Sequence, residues 1–253
     1  MVFARLIPTV SLKDGHIIKT KRFDEYRNVG SPKTMGKVYD SQDVDELVFV
    51  DICATQESRE PDWANIKVFA DECSMPLTIG GGINKLEYIR KLLQLGADKV
   101  LINSHAVRHP EFVTEASNAF GSQCIIASID AKLNGKGEYE VAITGGHEMT
   151  GLGVTQWAQE LERRGAGEIL ITSIDRDGTM EGYDLKLIKS VVDAVGIPVI
   201  ANGGAGLLHD LIEVIRETNC SAAACASIFA FTDNKPIKVK TFMQDHGIKI
   251  RPI

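Results

Sequence analysis

The sequence predicts an α/β fold: a single (β/α)8 barrel over residues 1–253, built from two homologous half-barrels. Three observations predict it. Eight short apolar runs alternate with eight segments of helical period along 253 residues, the number of units that a barrel of this length holds. The runs VFVD, IIASID and EILIT are apolar at successive positions, as expected of parallel strands covered on both faces. Finally, one half of the chain recurs in the other. A doubly wound open sheet is the competing arrangement, but two half-barrels closing on each other satisfy every strand edge.

In order, the first strand is expected at 5–10 (RLIPTV), followed by a helix at 33–40. The second, 47–51, lies in ELVFVD before a helix at 61–73, and the third, 77–79, runs from Pro76 into a GGG turn before a helix at 85–95. The fourth, 100–103, precedes a helix at 110–119 that starts on Pro110. The fifth and sixth, 125–130 and 169–172, lead to helices at 155–165 and 185–194. The seventh, 199–201, again follows a proline and ends in a glycine turn before a helix at 207–217. The eighth, 222–225, is followed by a helix at 235–245.

The repeat holds one offset over long stretches. ELVFVD from Glu46 matches EILITS from Glu168, Pro76 matches Pro198, and Gly81 and Gly82 match Gly203 and Gly204, all 122 residues apart. Ser104 matches Ser227 at 123. SLKDGHIIK from Ser11 superimposes on DAKLNGKGE from Asp130, placing Lys13 opposite Lys132 and Ser11 opposite Asp130.

Composition narrows the function classes. A net charge of -6 argues against nucleic acid as a partner but not against a phosphorylated substrate, which backbone amides and helix ends can hold. Five cysteines without a CxxC pair fit a reducing, cytoplasmic setting. The opening MVFARLIPTVSLKDG is too short and too soon charged for a signal peptide, and the apolar stretch at 190–208 carries Asp193 and four glycines, so no membrane span is expected. The six histidines show no HxH or HExxH spacing, so no metal is expected, and nothing in the sequence calls for a cofactor.

In a barrel of this kind the C-terminal strand ends carry the chemistry. Gly80–Gly82 follow the third strand, and Gly203, Gly204 and Gly206 follow the seventh. Asn103–Ser104 and Ala226–Ser227 follow the fourth and eighth. Glycines let backbone N–H groups approach a phosphate, and their duplication predicts two phosphate cradles on opposite sides of one mouth. Asp130, Asp51 and Asp177 are the candidate carboxylates, and Asp130 is favoured because it ends the fifth strand near Lys132. At the opposite end, Arg5, Glu46, Lys99 and Glu168 begin strands one, two, four and six, where alternating charges can form a salt-bridged floor whose ordinary role is stability.

KDG at 13–15, VDELVFVDI at 44–52, GGGI at 80–83, GADKVLIN at 96–103, FGSQ at 120–123, GAGEILITSIDRDGT at 165–179 and GGAG at 203–206 carry a resemblance. Along essentially its whole length the chain resembles the cyclase subunit of imidazole-glycerol-phosphate synthase. That family implies a half-barrel-repeat fold. It also implies a lyase reaction in which ammonia from a partner glutaminase is added to a two-phosphate ribulosyl nucleotide, giving imidazole glycerol phosphate and an aminoimidazole carboxamide nucleotide. By position, the resemblance assigns Gly82, Asn103, Ser104, Gly203, Gly204, Ala226 and Ser227 to phosphate binding. Lys19 becomes a substrate contact and Asp130 one of two catalytic aspartates. Arg5, Glu46, Lys99 and Glu168 become the ammonia gate, and Asp98 a position at the glutaminase interface.

Where that family reads ACLDVKDG, this chain reads PTVSLKDG, so Ser11 stands at the other catalytic aspartate. Losing a positioned acid or base costs about 10²–10⁴-fold in rate. PTVSLKDGHIIKTKRF and the following EYRNVGSP resemble more closely the divergent paralogues of bacterial surface-polysaccharide (lipopolysaccharide) clusters. Those are linked to ammonia delivery for acetamidino sugars, beside a glutaminase and a third amidotransferase protein. Two other readings stand beside this one: the standard cyclase of histidine biosynthesis, and a non-catalytic ammonia conduit or activator of the glutaminase.

Overall fold

The computed structural model describes residues 3–251, so the terminal positions of the expected 1–253 domain lie outside the described residues. In the first half, β1 is Arg5–Lys13, β2 His16–Lys21, β3 Glu25–Gly30, α1 Pro32–Asp40, β4 Leu47–Asp51 and α2 Trp63–Ala70. β5 (Leu77–Gly80), α3 (Leu86–Gln94), β6 (Lys99–Ile102), a short α4 (Ser104–Arg108) and α5 (Glu111–Phe120) complete it. In the second half, β7 is Ile125–Leu133, β8 Tyr139–Ile143, β9 Glu148–Gly153, α6 Val154–Arg163, β10 Glu168–Ser173 and α7 Leu185–Val192. β11 (Val199–Asn202), α8 (Leu208–Thr218), β12 (Ala222–Cys225), a short α9 (Ser227–Ala230) and α10 (Pro236–Asp245) follow.

Eight strands pair in parallel in the closed order β1-β4-β5-β6-β7-β10-β11-β12 and back to β1. All eight expected strands are present and the sheet closes, so the chain is a (β/α)8 barrel. Inside, Ile7, Val48, Leu101, Ile126, Leu170, Ile200, Ala222 and Ala224 form one apolar layer. The larger core lies between strands and helices, where Phe49 and Phe69 stack with ring centroids 4.3 Å apart.

The helices carry the repeat as well. Asp62 caps α2 by accepting from Asn65 N at 3.1 Å, and Asp184 caps α7 by accepting from Leu187 N at 3.1 Å. Each helix closes on the same charge pair, Lys67–Asp71 and Lys189–Asp193. Caps and pairs alike stand 122 residues apart, the offset of the strands.

Two strand ends depart from expectation. β1 continues to Lys13 and β7 to Leu133, because each leaves the barrel rim to join an antiparallel hairpin: β2–β3 on β1, and β8–β9 on β7. Asp130 is therefore not the last residue of its strand. It pairs with Thr172 in the barrel and Ala142 in the hairpin, while Ser11 pairs with Val50 and Ile18. Ser11 and Asp130 thus occupy equivalent points, where a barrel strand becomes a flap.

Candidate active site

A cavity of about 330 Å³ opens at the C-terminal ends of the strands, and Ser11, Lys19, Asn103, Ser104, Asp130 and Asp177 all line it. Asp130 is buried, and Asn103 Nδ2 donates to its Oδ2 at 2.7 Å. Asn202 Nδ2 in turn holds Thr172 Oγ1 at 3.1 Å, and Thr172 bonds the Asp130 carboxylate. Burial, and then the Asp177 charge, push the Asp130 pKa up to about 7 against the pull of these hydrogen bonds. A carboxyl poised there can both give and take a proton near neutral pH.

Asp177 is buried on the loop after β10. Lys19 Nζ donates to its Oδ1 at 3.0 Å and Thr20 Oγ1 to its Oδ2 at 2.6 Å. Both donors come from β2, so this ion pair pins the first hairpin over the mouth. Sequence reasoning missed Thr20, Thr172 and Asn202. Thr20 lay in a segment read without secondary structure, and the other two carry no motif.

Asp51, a candidate carboxylate, also lines the cavity but is already engaged. Arg59 grips it through Nη1 at 2.6 Å and Nη2 at 2.9 Å, and the backbone N–H groups of Cys53, Ala54 and Asp62 donate to it at 3.2, 3.2 and 3.0 Å. With its lone pairs taken up, it shapes the loop after β4.

The first expected cradle faces the cavity through Gly82, Asn103 and Ser104. Gly82 has φ +68°, and a Cβ there would meet the Ala54 methyl at 2.7 Å, so this turn requires glycine. Asn103 turns its amide toward Asp130, leaving its buried Oδ1 without a partner, and Ser104 Oγ accepts from Thr144 N at 3.0 Å. The residues of the second expected cradle are placed apart from it. Gly203, Gly204, Ala226 and Ser227 lie outside the lining of this cavity, and the buried Ser227 Oγ has no hydrogen-bond partner.

At the opposite end the four expected charges close a ring. Arg5 pairs with Glu46 at 2.7 Å and Glu168 at 2.9 Å, and Lys99 pairs with Glu46 at 3.2 Å and Glu168 at 3.1 Å. Asp98 is exposed beside Lys99, and its Oδ2 accepts from Leu77 N at 2.8 Å.

A family model described as histidine biosynthesis protein matches residues 5–235. The chain belongs to that family. The matched segment holds all eight barrel strands and both rims of the mouth, and it ends just before α10. The histidine biosynthesis protein family comprises (β/α)8-barrel enzymes, isomerases and cyclases among them. Among the described residues, no group of three or more His, Cys, Asp or Glu side chains is placed to hold a metal ion, and no helix is long and apolar enough to cross a membrane.

Proposed function

We propose that this barrel is the ammonia-using synthase subunit of a glutamine amidotransferase, a relative of the imidazole-glycerol-phosphate synthase cyclase with altered acid–base chemistry. The observation that carries the reading is axial. A closed ring of four ion pairs forms the floor, an apolar layer follows, and Asp130 waits at the mouth. Neutral ammonia can cross a layer of Ile, Val, Leu and Ala side chains, whereas ammonium would lose its hydration without replacement. A glutaminase docked at the floor, where Asp98 is exposed, would deliver ammonia to that ring.

At the mouth, Gly82, Asn103 and Ser104 would hold one phosphate and Gly203, Gly204, Ala226 and Ser227 another. The unpartnered Ser227 Oγ supports the second assignment. Asp130 would act as acid and base. Lys19 and Asp177 would contact the substrate between the two cradles. Ser11, at the position equivalent to Asp130, supplies no carboxylate. It supports a paralogue that passes ammonia toward acetamidino-sugar formation in surface polysaccharide, together with a third amidotransferase protein in the cytoplasm. The intact Asp130–Asn103 and Lys19–Asp177 contacts favour the standard cyclase as the second reading.

Purified protein supplied with ammonium salt and the ribulosyl nucleotide at alkaline pH separates the two. The paralogue reading expects turnover about 10²-fold or more below a normal cyclase, and a normal rate overturns it. In the complete complex, Asp130→Asn is expected to abolish ammonia-dependent product formation, and unimpaired formation would leave only a conduit.

A further inference from the structure

Two members of the floor ring stand where the parallel ladder has not yet begun. β1 and β4 pair only from Thr9 and Val48 upward, so the β4-facing side of Arg5 and Leu6 has no ladder partner. The Leu6 N–H is taken instead by a side chain, Asp45 Oδ2, at 2.9 Å. Asp45 immediately precedes Glu46 and Leu6 immediately follows Arg5, so this one bond ties together the two residues flanking the Arg5–Glu46 pair. Asp98 makes the same kind of bond to Leu77 N directly before Lys99. In the second half the β10–β7 ladder already includes Glu168, and no such bond is needed.

The two aspartates differ in setting. Asp98 is exposed and solvated, while Asp45 is 4% exposed and requires a cation. That cation is Lys240 of α10, itself 1% exposed. Its Nζ donates to Asp45 Oδ1 at 3.1 Å and to the Asp43 carbonyl at 2.9 Å, with the Asp43 carboxylate at 3.5 Å. Two of the ammonium protons thus have acceptors beneath the barrel, and the Asp43 carboxylate adds a longer ion pair. Lys240 lies beyond the segment matched by the family model.

We propose that Asp45 is a positioning residue for the floor ring, with Lys240 the counter-ion that lets its carboxylate be buried there. The Asp45 acceptor fixes the strand starts that carry Arg5 and Glu46. This rests on the ammonia reading only for its functional consequence, because the positioning itself can be measured without turnover.

Two charge-neutral double variants avoid stranding a buried ion. Asp45→Ala with Lys240→Met removes the acceptor of the Leu6 N–H, whereas Asp45→Asn with Lys240→Met keeps one. Hydrogen exchange of the Leu6 amide and of the Arg5 Nη–H groups that pair with Glu46 and Glu168, followed by ¹⁵N NMR, is expected to quicken about tenfold in the alanine variant and to stay near wild type in the asparagine variant. Equal exchange in the two variants overturns the proposal, whatever the thermal stabilities. In the complex with the glutaminase, the ratio of glutamine-driven to ammonium-driven turnover is expected to fall severalfold in the alanine variant alone. If exchange separates the variants and that ratio does not, the positioning role stands and the ammonia reading of the floor fails.

Discussion

Asp130 keeps its proton near neutral pH because its site offers little solvent and faces a second carboxylate, Asp177. Asp51, at the end of β4, is spent on Arg59 and three backbone amides, so the two aspartates part by environment and not by residue type. The Asp130 pKa rises from the ordinary 3.8 to about 7, so between those values the folded chain holds a proton that the unfolded chain releases. Stability from this group is therefore fully present only below the ordinary value of 3.8, falls as pH rises through the window, and levels off above about 7. Asp130→Asn removes the titration while keeping an acceptor for Asn103. Urea denaturation at pH 8 is expected to show the variant more stable than wild type, by on the order of 2–4 kcal/mol, with the gap closing toward pH 4. A gap that does not vary with pH would show that Asp130 titrates normally.

At the scale of elements, the barrel strands and outer helices are legible because buried parallel strands and amphipathic helices write distinct patterns. The two hairpins are not, although the first carried a signal. Asp14–Gly15 has φ of 49° and 74°, the pair of positive angles of a two-residue hairpin turn, and Asp-Gly is among its commonest sequences. The signal was masked because β3 (EYRNVG) is exposed along most of its length and shows no buried face. Lys19 was therefore reached by resemblance alone, and its partner Thr20 not at all.

The hairpin is held by close backbone packing as well as by the ion pair. Gly178 has φ +69°, and any side chain there would collide with the Thr20 carbonyl. Arg22 N also donates to the Asp177 carbonyl at 2.8 Å. Gly178→Ala is expected to lift β2 from the β10–α7 loop and release Lys19 from Asp177. Trypsin cleavage at Lys21 and Arg22 should quicken while the barrel melts only slightly earlier, a cost of about 1–3 kcal/mol. Unchanged cleavage would show that the hairpin is held elsewhere.

Over the whole molecule the half-barrel symmetry is close in strands, caps, charge pairs and hairpins, and it breaks at the chemistry. Asp130 and Ser11 sit at equivalent branch points of β7 and β1 on one cavity, yet only one carries a carboxylate. The sequence showed this mismatch because the repeat could be aligned through KDG, but not the use of Asn103, whose amide serves Asp130 at a position otherwise assigned to phosphate. Ser11→Asp restores the symmetry and tests what its loss did. A second carboxylate on the same cavity adds a like charge near Asp130, so the Asp130 pKa is expected to move further up and the corresponding limb of the pH–rate profile toward alkaline pH. If the missing acid or base is what limits cyclisation, ammonium-driven turnover of the ribulosyl nucleotide should rise by about 10²-fold at the new optimum. A displaced pH profile without a gain in rate would show that the new carboxylate reaches Asp130 but not the reacting atoms, and the acceptor would then have to differ from that of the standard cyclase in the part that faces β1.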